Sequence, residues 1–190
     1  MRSKLVLAAL ITLSTLPAFA QVAPAAKISG FPLGVGGGLS DYDLDFGYGS
    51  RMIGLSAWAD YKLFHGLGVE AEGTFIFADK PDRITRMKQD SFKGGGIYKT
   101  RAFYGVRPYV KGLVGWGNIQ FPSRNPLYTE DTYTEYAVGG GAEYRIWKDL
   151  FARADYEYEM WEKFHGPNAL TPNGYTFGAM YYFRGVHRHY

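Results

Sequence analysis

In the stretch FARADYEYEMW (Phe151 to Trp161), ionisable residues take every second position: Arg153, Asp155, Glu157 and Glu159, with Ala152, Ala154, Tyr156, Tyr158 and Met160 between them. Carboxylates on one face can share a proton, the arrangement that general acid and base catalysis uses. The same spacing also builds an ion network, which accounts for these groups without a substrate. Histidine is the other place to seek chemistry. His65 sits in a short turn, His165 in a long loop, and His187 and His189 near the C-terminus, with no H-E-x-x-H motif among them. The terminal H-x-H is read as a chain end, so no metal site and no cofactor is expected. The chain has no cysteine, which excludes disulfides and thiolate metal sites. Three GGG runs, Gly36 to Gly38, Gly94 to Gly96 and Gly139 to Gly141, raise the question of a phosphate-cradling loop. That reading fails, because Leu39 stands where the third glycine of the motif belongs and no helix follows.

The elements that carry these residues are strands. Period-two alternation puts successive side chains on opposite faces of a pleat, so Phe151 to Trp161 has one ionic face and one apolar, aromatic face. The composition agrees: 17% aromatic residues, 16 Tyr, 13 Phe and 25 Gly favour strands and tight turns over helices. At 190 residues the chain is one domain or one barrel. Residues 1–20 read as a secretory signal peptide: Arg2 and Lys4, an apolar run from Leu5 to Leu16, and Ala18, Phe19, Ala20 as a cleavage site before Gln21. The apolar run is too short to span a bilayer. The whole chain carries 21 bases and 18 acids. The signal peptide accounts for two of the bases, so the remainder is close to neutral and gives nucleic-acid binding no electrostatic support. No other segment is apolar enough for a transmembrane helix, so any span must be made of strands closed into a barrel.

After a short Pro/Ala segment (21–30), eight strand-like segments follow: Phe31 to Leu44, Arg51 to Leu63, Gly68 to Phe77, Ser91 to Phe103, Pro108 to Phe121, Tyr133 to Ile146, Phe151 to Trp161 and Gly174 to Phe183. Each meets the roughly 9–11 residues that a tilted strand needs to cross a membrane. FHGL, YGVR and WKDL are short connections after the even-numbered strands, whereas those after the third, fifth and seventh are longer and richer in Pro, Asn and charge. Short turns on one side and long loops on the other is the asymmetry of outer-membrane barrels, with turns and both termini in the periplasm.

Extending the alternation to the other strands, the ionic face collects Asp60, Lys62, Glu70, Glu72, Lys99, Arg101, Lys111, Glu143, Arg145, Arg153, Asp155, Glu157 and Glu159. The opposite face collects residues such as Ile53, Leu55, Tyr61, Val110, Val114, Trp116, Tyr156, Phe177 and Phe183. An eight-stranded barrel has a lumen just wide enough to be filled by side chains, and this aromatic inventory is too bulky for it. The charges are therefore expected inside and the rings outside, with aromatics near the strand ends as two interfacial girdles. All the paired charges are expected near the short-turn end, Glu72 beside Lys99 or Arg101 and Glu143 beside Arg153. Unpaired buried charge costs several kcal/mol, so a balanced lumen forms a plug and not an open pore. The glycine runs lie mid-strand, where they give room to a large lumen side chain or sharpen the curvature.

Eight amphipathic strands, the leader, the loop asymmetry and the ionic plug together resemble the OmpA-like small outer-membrane β-barrels of the porin family, across roughly Phe31 to Phe183. The most specific element is TFGAMYYF, in which Thr176, Gly178, Tyr181 and Phe183 match the family's polar-x-Gly-x-x-hydrophobic-x-hydrophobic assembly signal. RPYVKGLVGWG and YAVGGGAEYRI look like paired strands of such barrels. RGVHRHY after Phe183 departs from the family, whose terminal aromatic usually ends the chain.

The resemblance implies an all-β, eight-stranded antiparallel up-and-down transmembrane β-barrel with a filled, charged lumen over 31–184, followed by a short tail (185–190). It implies location in the bacterial outer membrane, with the barrel-assembly machinery, outer-membrane lipids and lipopolysaccharide as partners. A structural or surface-interaction role follows, any surface ligand being held by the long loops Ala78 to Asp90 and Glu162 to Asn173. Three alternatives compete. A lipid A-modifying barrel enzyme needs a Ser/His arrangement at the outer rim, where only His165 lies. A narrow gated channel needs a conducting lumen, and a soluble lipocalin-like binder needs the aromatic face inward.

Overall fold

The computed structural model describes residues 33–43, 51–77, 88–120, 130–162 and 170–183. The expected signal peptide, the segment 21–30, the tail 185–190, most of the long loops and His165, His187 and His189 lie outside the described residues. Eight strands follow one another: β1 (Leu33–Asp43), β2 (Arg51–Phe64), β3 (Leu67–Phe77), β4 (Lys88–Lys99), β5 (Val106–Gln120), β6 (Glu130–Trp147), β7 (Leu150–Trp161) and β8 (Asn173–Phe183). Each pairs antiparallel with the next, and β8 returns to β1 with Phe183 opposite Leu33 and Asn173 opposite Asp43, closing the barrel. No helix among the described residues is long and apolar enough to cross a membrane. Closure satisfies the backbone of every strand from its neighbours, the condition for crossing hydrocarbon.

The turns are set locally. His65 and Gly66 have φ of 48° and 89°, and Tyr104 and Gly105 have 50° and 82°. Positive φ at both central residues is the type I′ pattern, whose twist matches that of the flanking strands. β6 starts earlier than expected, at Glu130 and not Tyr133, and β4 departs most: it runs from Lys88 to Lys99, earlier at both ends than the expected Ser91 to Phe103. Pro108 explains where it stops. The Thr100 amide donates to the Pro108 carbonyl at 2.9 Å, but proline has no N–H to return, so the ladder ends there.

The alternation divides the wall as expected. Ile53 (67% exposed), Val138 (63%), Phe177 (63%) and Val114 (51%) face outward, while their neighbours Met52, Ala137, Thr176 and Leu113 are buried. The contiguous apolar exterior belongs against lipid, and outward Tyr61, Tyr144, Tyr181 and Phe183 toward the turns face Phe77, Trp116, Tyr136, Tyr158 and Tyr175 toward the loops as two aromatic bands.

The lumen also holds rings of its own, and glycine makes room for them. A Cβ on Gly36 would lie 2.5 Å from the Trp58 indole and 2.7 Å from the Ala179 carbonyl, and one on Gly178 would lie 2.7 Å from the same indole. Gly36→Ala is therefore expected to cost about 1–3 kcal/mol through overpacking. Gly37→Ala, whose Cβ meets only the Ser56 carbonyl at 3.4 Å, is the control and costs less; urea midpoints of the two variants in detergent measure the difference. At the loop end the lumen is capped by two apolar clusters, Tyr42 with Met52 and Ile76, and Ile119 with Tyr133, Trp161 and Leu170. Toward the lumen β1 presents Gly34, Gly36, Gly38, Ser40 and Tyr42, and β8 presents Gly174, Thr176, Gly178, Met180 and Tyr182.

Candidate functional site

The inward ionisable residues form three tiers. At the turn end Glu143, fully buried, receives the Arg107 guanidinium (Nε at 3.0 Å), the Lys99 ammonium and the Tyr182 hydroxyl at 2.9 Å. Lys99 also reaches Asp60 and donates to the Tyr182 oxygen at 2.6 Å.

The middle tier centres on Arg153. Its Nη1 and Nη2 donate to the two Glu70 oxygens at 2.6 and 3.0 Å, and its Nε donates to Asp155 at 2.9 Å. The guanidinium lies 4.6 Å from the Trp58 ring centroid and 4.7 Å from that of Tyr109, whose hydroxyl donates to Asp155 at 2.8 Å. A bidentate carboxylate and two aromatic faces use the planar guanidinium in ways an ammonium cannot.

The third tier lies below the apolar cap. Lys111 bridges Glu72 at 2.5 Å and Glu157 at 2.7 Å. Lys93 contacts Glu157 and lies 2.7 Å from Glu159, 3.4 Å from Glu135 and 3.7 Å from Glu72. Tyr42 donates to Glu157 and Trp161 Nε1 to Glu159, at 3.3 and 3.0 Å. Beside this tier Ser40, Ser56, Thr74 and Thr176 form a hydroxyl chain with spacings of 2.6 to 3.1 Å. Glu135, Glu157 and Glu159 bring carboxylate oxygens within 4.8 Å of one another, a spacing that suits a metal ion, but the Lys93 ammonium already stands among them as a fixed cation.

Of the thirteen residues expected on the ionic face, ten meet in this network. Lys62, Arg101 and Arg145 do not: all three are exposed at the turn end. Lys62 and Arg145 immediately precede register shifts in the β2–β3 and β6–β7 ladders, which disrupt the alternation, and Arg101 lies past the end of β4. The expected partners of Glu72 are also corrected. Its register partner is Lys93, and it bonds Lys111, not Lys99 or Arg101. Glu143 does stand opposite Arg153 in the ladder, yet its ion pairs are with Lys99 and Arg107.

The charges are not confined to the turn end either, because Lys93, Glu135, Glu157 and Glu159 form a tier toward the loops. Lys93, Arg107 and Glu135 were missed, although each shares the parity of the inward face of its strand. With them the buried network holds eight acids, Asp60, Glu70, Glu72, Glu135, Glu143, Asp155, Glu157 and Glu159, and five bases, Lys93, Lys99, Arg107, Lys111 and Arg153, so its balance is more acidic than the even mixture expected.

A closed, antiparallel, eight-stranded wall with an apolar exterior and an ion-paired interior defines an integral barrel of the bacterial outer membrane. The sequence matches the outer membrane protein beta-barrel domain over residues 6–183, and the chain belongs to that family. Among solved structures it is similar to Neisserial surface protein A (16% identity, TM-score 0.69, covering 81% of this chain and 99% of that one). It is also similar to Ail, the attachment invasion locus protein of Yersinia pestis (18% identity, TM-score 0.54, 80% and 96%), and to OprG from Pseudomonas aeruginosa (15%, 0.54, 80% and 96%). At these identities the likeness concerns the fold. A comparison with curated proteins finds no match.

Proposed function

We propose that this protein is a structural or surface-interacting component of the outer membrane, with a lumen closed to solute and no catalytic activity. The observation that carries this reading is the filled interior: Arg153, Lys111 and Lys93 are each tied to two or more carboxylates, beneath a lid of Tyr42, Met52, Ile76, Tyr133 and Trp161. Charges bound this tightly to one another serve the wall, and moving an ion through them would break several pairs at once. The eight acids and five bases of the buried network act on this reading as an internal brace and not as a reactive centre. Residues 1–20 act as a leader removed on export, 31–184 as the barrel, and the long loops as the surface that meets lipopolysaccharide or a cell-surface ligand.

Lipid A mass spectrometry of a deletion strain beside its parent, with planar-bilayer conductance of the purified barrel, tests the role. An unchanged acyl pattern and no discrete conductance steps are expected. A changed acyl pattern would instead establish the lipid A-modifying reading, and steps that persist on neutralising Arg153 or Glu157 the gated channel. Thr176, Gly178, Tyr181 and Phe183 serve as the assembly signal for the barrel-assembly machinery. Phe183→Ala is expected to lower the heat-modifiable, folded fraction in membranes severalfold, and an unchanged fraction would remove that assignment.

A further inference from the structure

At the turn end of the barrel a cavity of about 540 Å³ opens between the β2–β3 hairpin and the segment that follows β4. Four bases line it, Lys62, Lys99, Arg101 and Arg107, against one carboxylate, Asp60. Lys99 and Arg107 are engaged on their lumen side by Asp60 and Glu143. Lys62 and Arg101 form no ion pair among the described residues, so two cations at this mouth lack a counter-ion.

Solvated bases are ordinary on a surface. What distinguishes these is the other wall of the cavity. Tyr61, Leu67 and Tyr98, all turned outward among the lipid-facing residues, line it together with the bases. The space thus runs from a cationic mouth to the hydrocarbon-facing exterior. A ligand that fills it carries an anionic group beside an aliphatic chain.

We propose that this cavity binds one anionic phospholipid from the leaflet on the short-turn side. Its phosphate sits between Lys62 and Arg101, and its acyl chains lie along Tyr61, Leu67 and Tyr98. A phosphodiester supplies the charge-assisted acceptors that both side chains can bond, and polybasic groups at a membrane surface select anionic headgroups by the same attraction. A free phosphate could meet the bases but would leave the apolar wall uncovered. The inference concerns the barrel wall and stands apart from the role of the long loops.

The test is native mass spectrometry of the barrel released from nanodiscs of equal phosphatidylglycerol and phosphatidylcholine. One phosphatidylglycerol retained severalfold over phosphatidylcholine is expected. The preference should fall in Lys62→Gln and in Arg101→Gln, vanish in the double variant, and persist in Arg145→Gln, a turn-end base outside the cavity. Heat-modifiable mobility confirms that each variant is folded, and the two single variants carry the test if the double one is not. Equal retention of the two lipids, or a preference untouched by these substitutions, would overturn the proposal. Millimolar inorganic phosphate that abolishes the preference would overturn the lipid as the ligand in favour of a free anion.

Discussion

Arg153→Ala is expected to destabilise the barrel by about 3–5 kcal/mol, the cost of removing one partner from a buried ion pair. Arg153 is 2% exposed, and its loss strips Glu70 of both guanidinium bonds and Asp155 of one. Among the described residues Lys111, at 3.3 Å, would be the one cation left to Glu70. The space between Trp58 and Tyr109 would also be left empty, adding a cavity to the lost charge. Arg153→Lys keeps the charge and loses the fork and the stacking, so it should fall between wild type and alanine. Urea titration in lipid vesicles, read by the mobility shift between folded and unfolded barrel, measures all three. Equal midpoints for wild type and Arg153→Ala would show that the middle tier does not brace the wall.

The second large effect is on the other face. Val110→Arg is expected to cost about 2–4 kcal/mol in a bilayer, the penalty for a base on the lipid face near the midplane. Val110 is outward on β5, about midway between Val106, opposite Tyr144 of the turn-side band, and Trp116 of the loop-side band, and it is paired with Tyr98 on one side and Gly140 on the other. On a protein surrounded by water, the same substitution at an exposed position would change stability by no more than about 0.5 kcal/mol. The sign of the environment is thus read from one residue, and a change that small in vesicles would contradict hydrocarbon contact at this site.

Much of this was legible in the sequence, for a reason visible in β7. Arg153, Asp155, Glu157 and Glu159 alternate without interruption, and all four are buried where the pattern put them. Alternation fails where the backbone departs from a regular ladder. Lys62 and Arg145 lie beside register shifts and Arg101 beyond the pairing that Pro108 ends, and none of these irregularities has a local hydrophobic signature. Lys93 and Glu135 are a different case. Both have the right parity, but Lys93 adjoins Gly94 and Glu135 lies between tyrosine and threonine neighbours, so neither stands in an ionic run. Arg107 reads as part of a turn because Gly105 and Pro108 flank it, yet β5 begins at Val106. The apolar lid is legible only in part: parity turns Tyr133 and Trp161 inward and Tyr136 and Trp116 outward, but whether the inward rings meet at one level depends on the stagger between strands.

The inner faces of β1 and β8 carry glycine, hydroxyl, aromatic and methionine side chains and no formal charge. All the ionic partners of the lumen network come from β2 through β7, and the Arg153 to Glu70 pair already spans from the seventh strand to the third. On its lumen side the junction where first and last strands meet is therefore electrically silent. A cylinder built this way can be zipped shut, or held ajar at that line, without separating any ion pair of the lumen network.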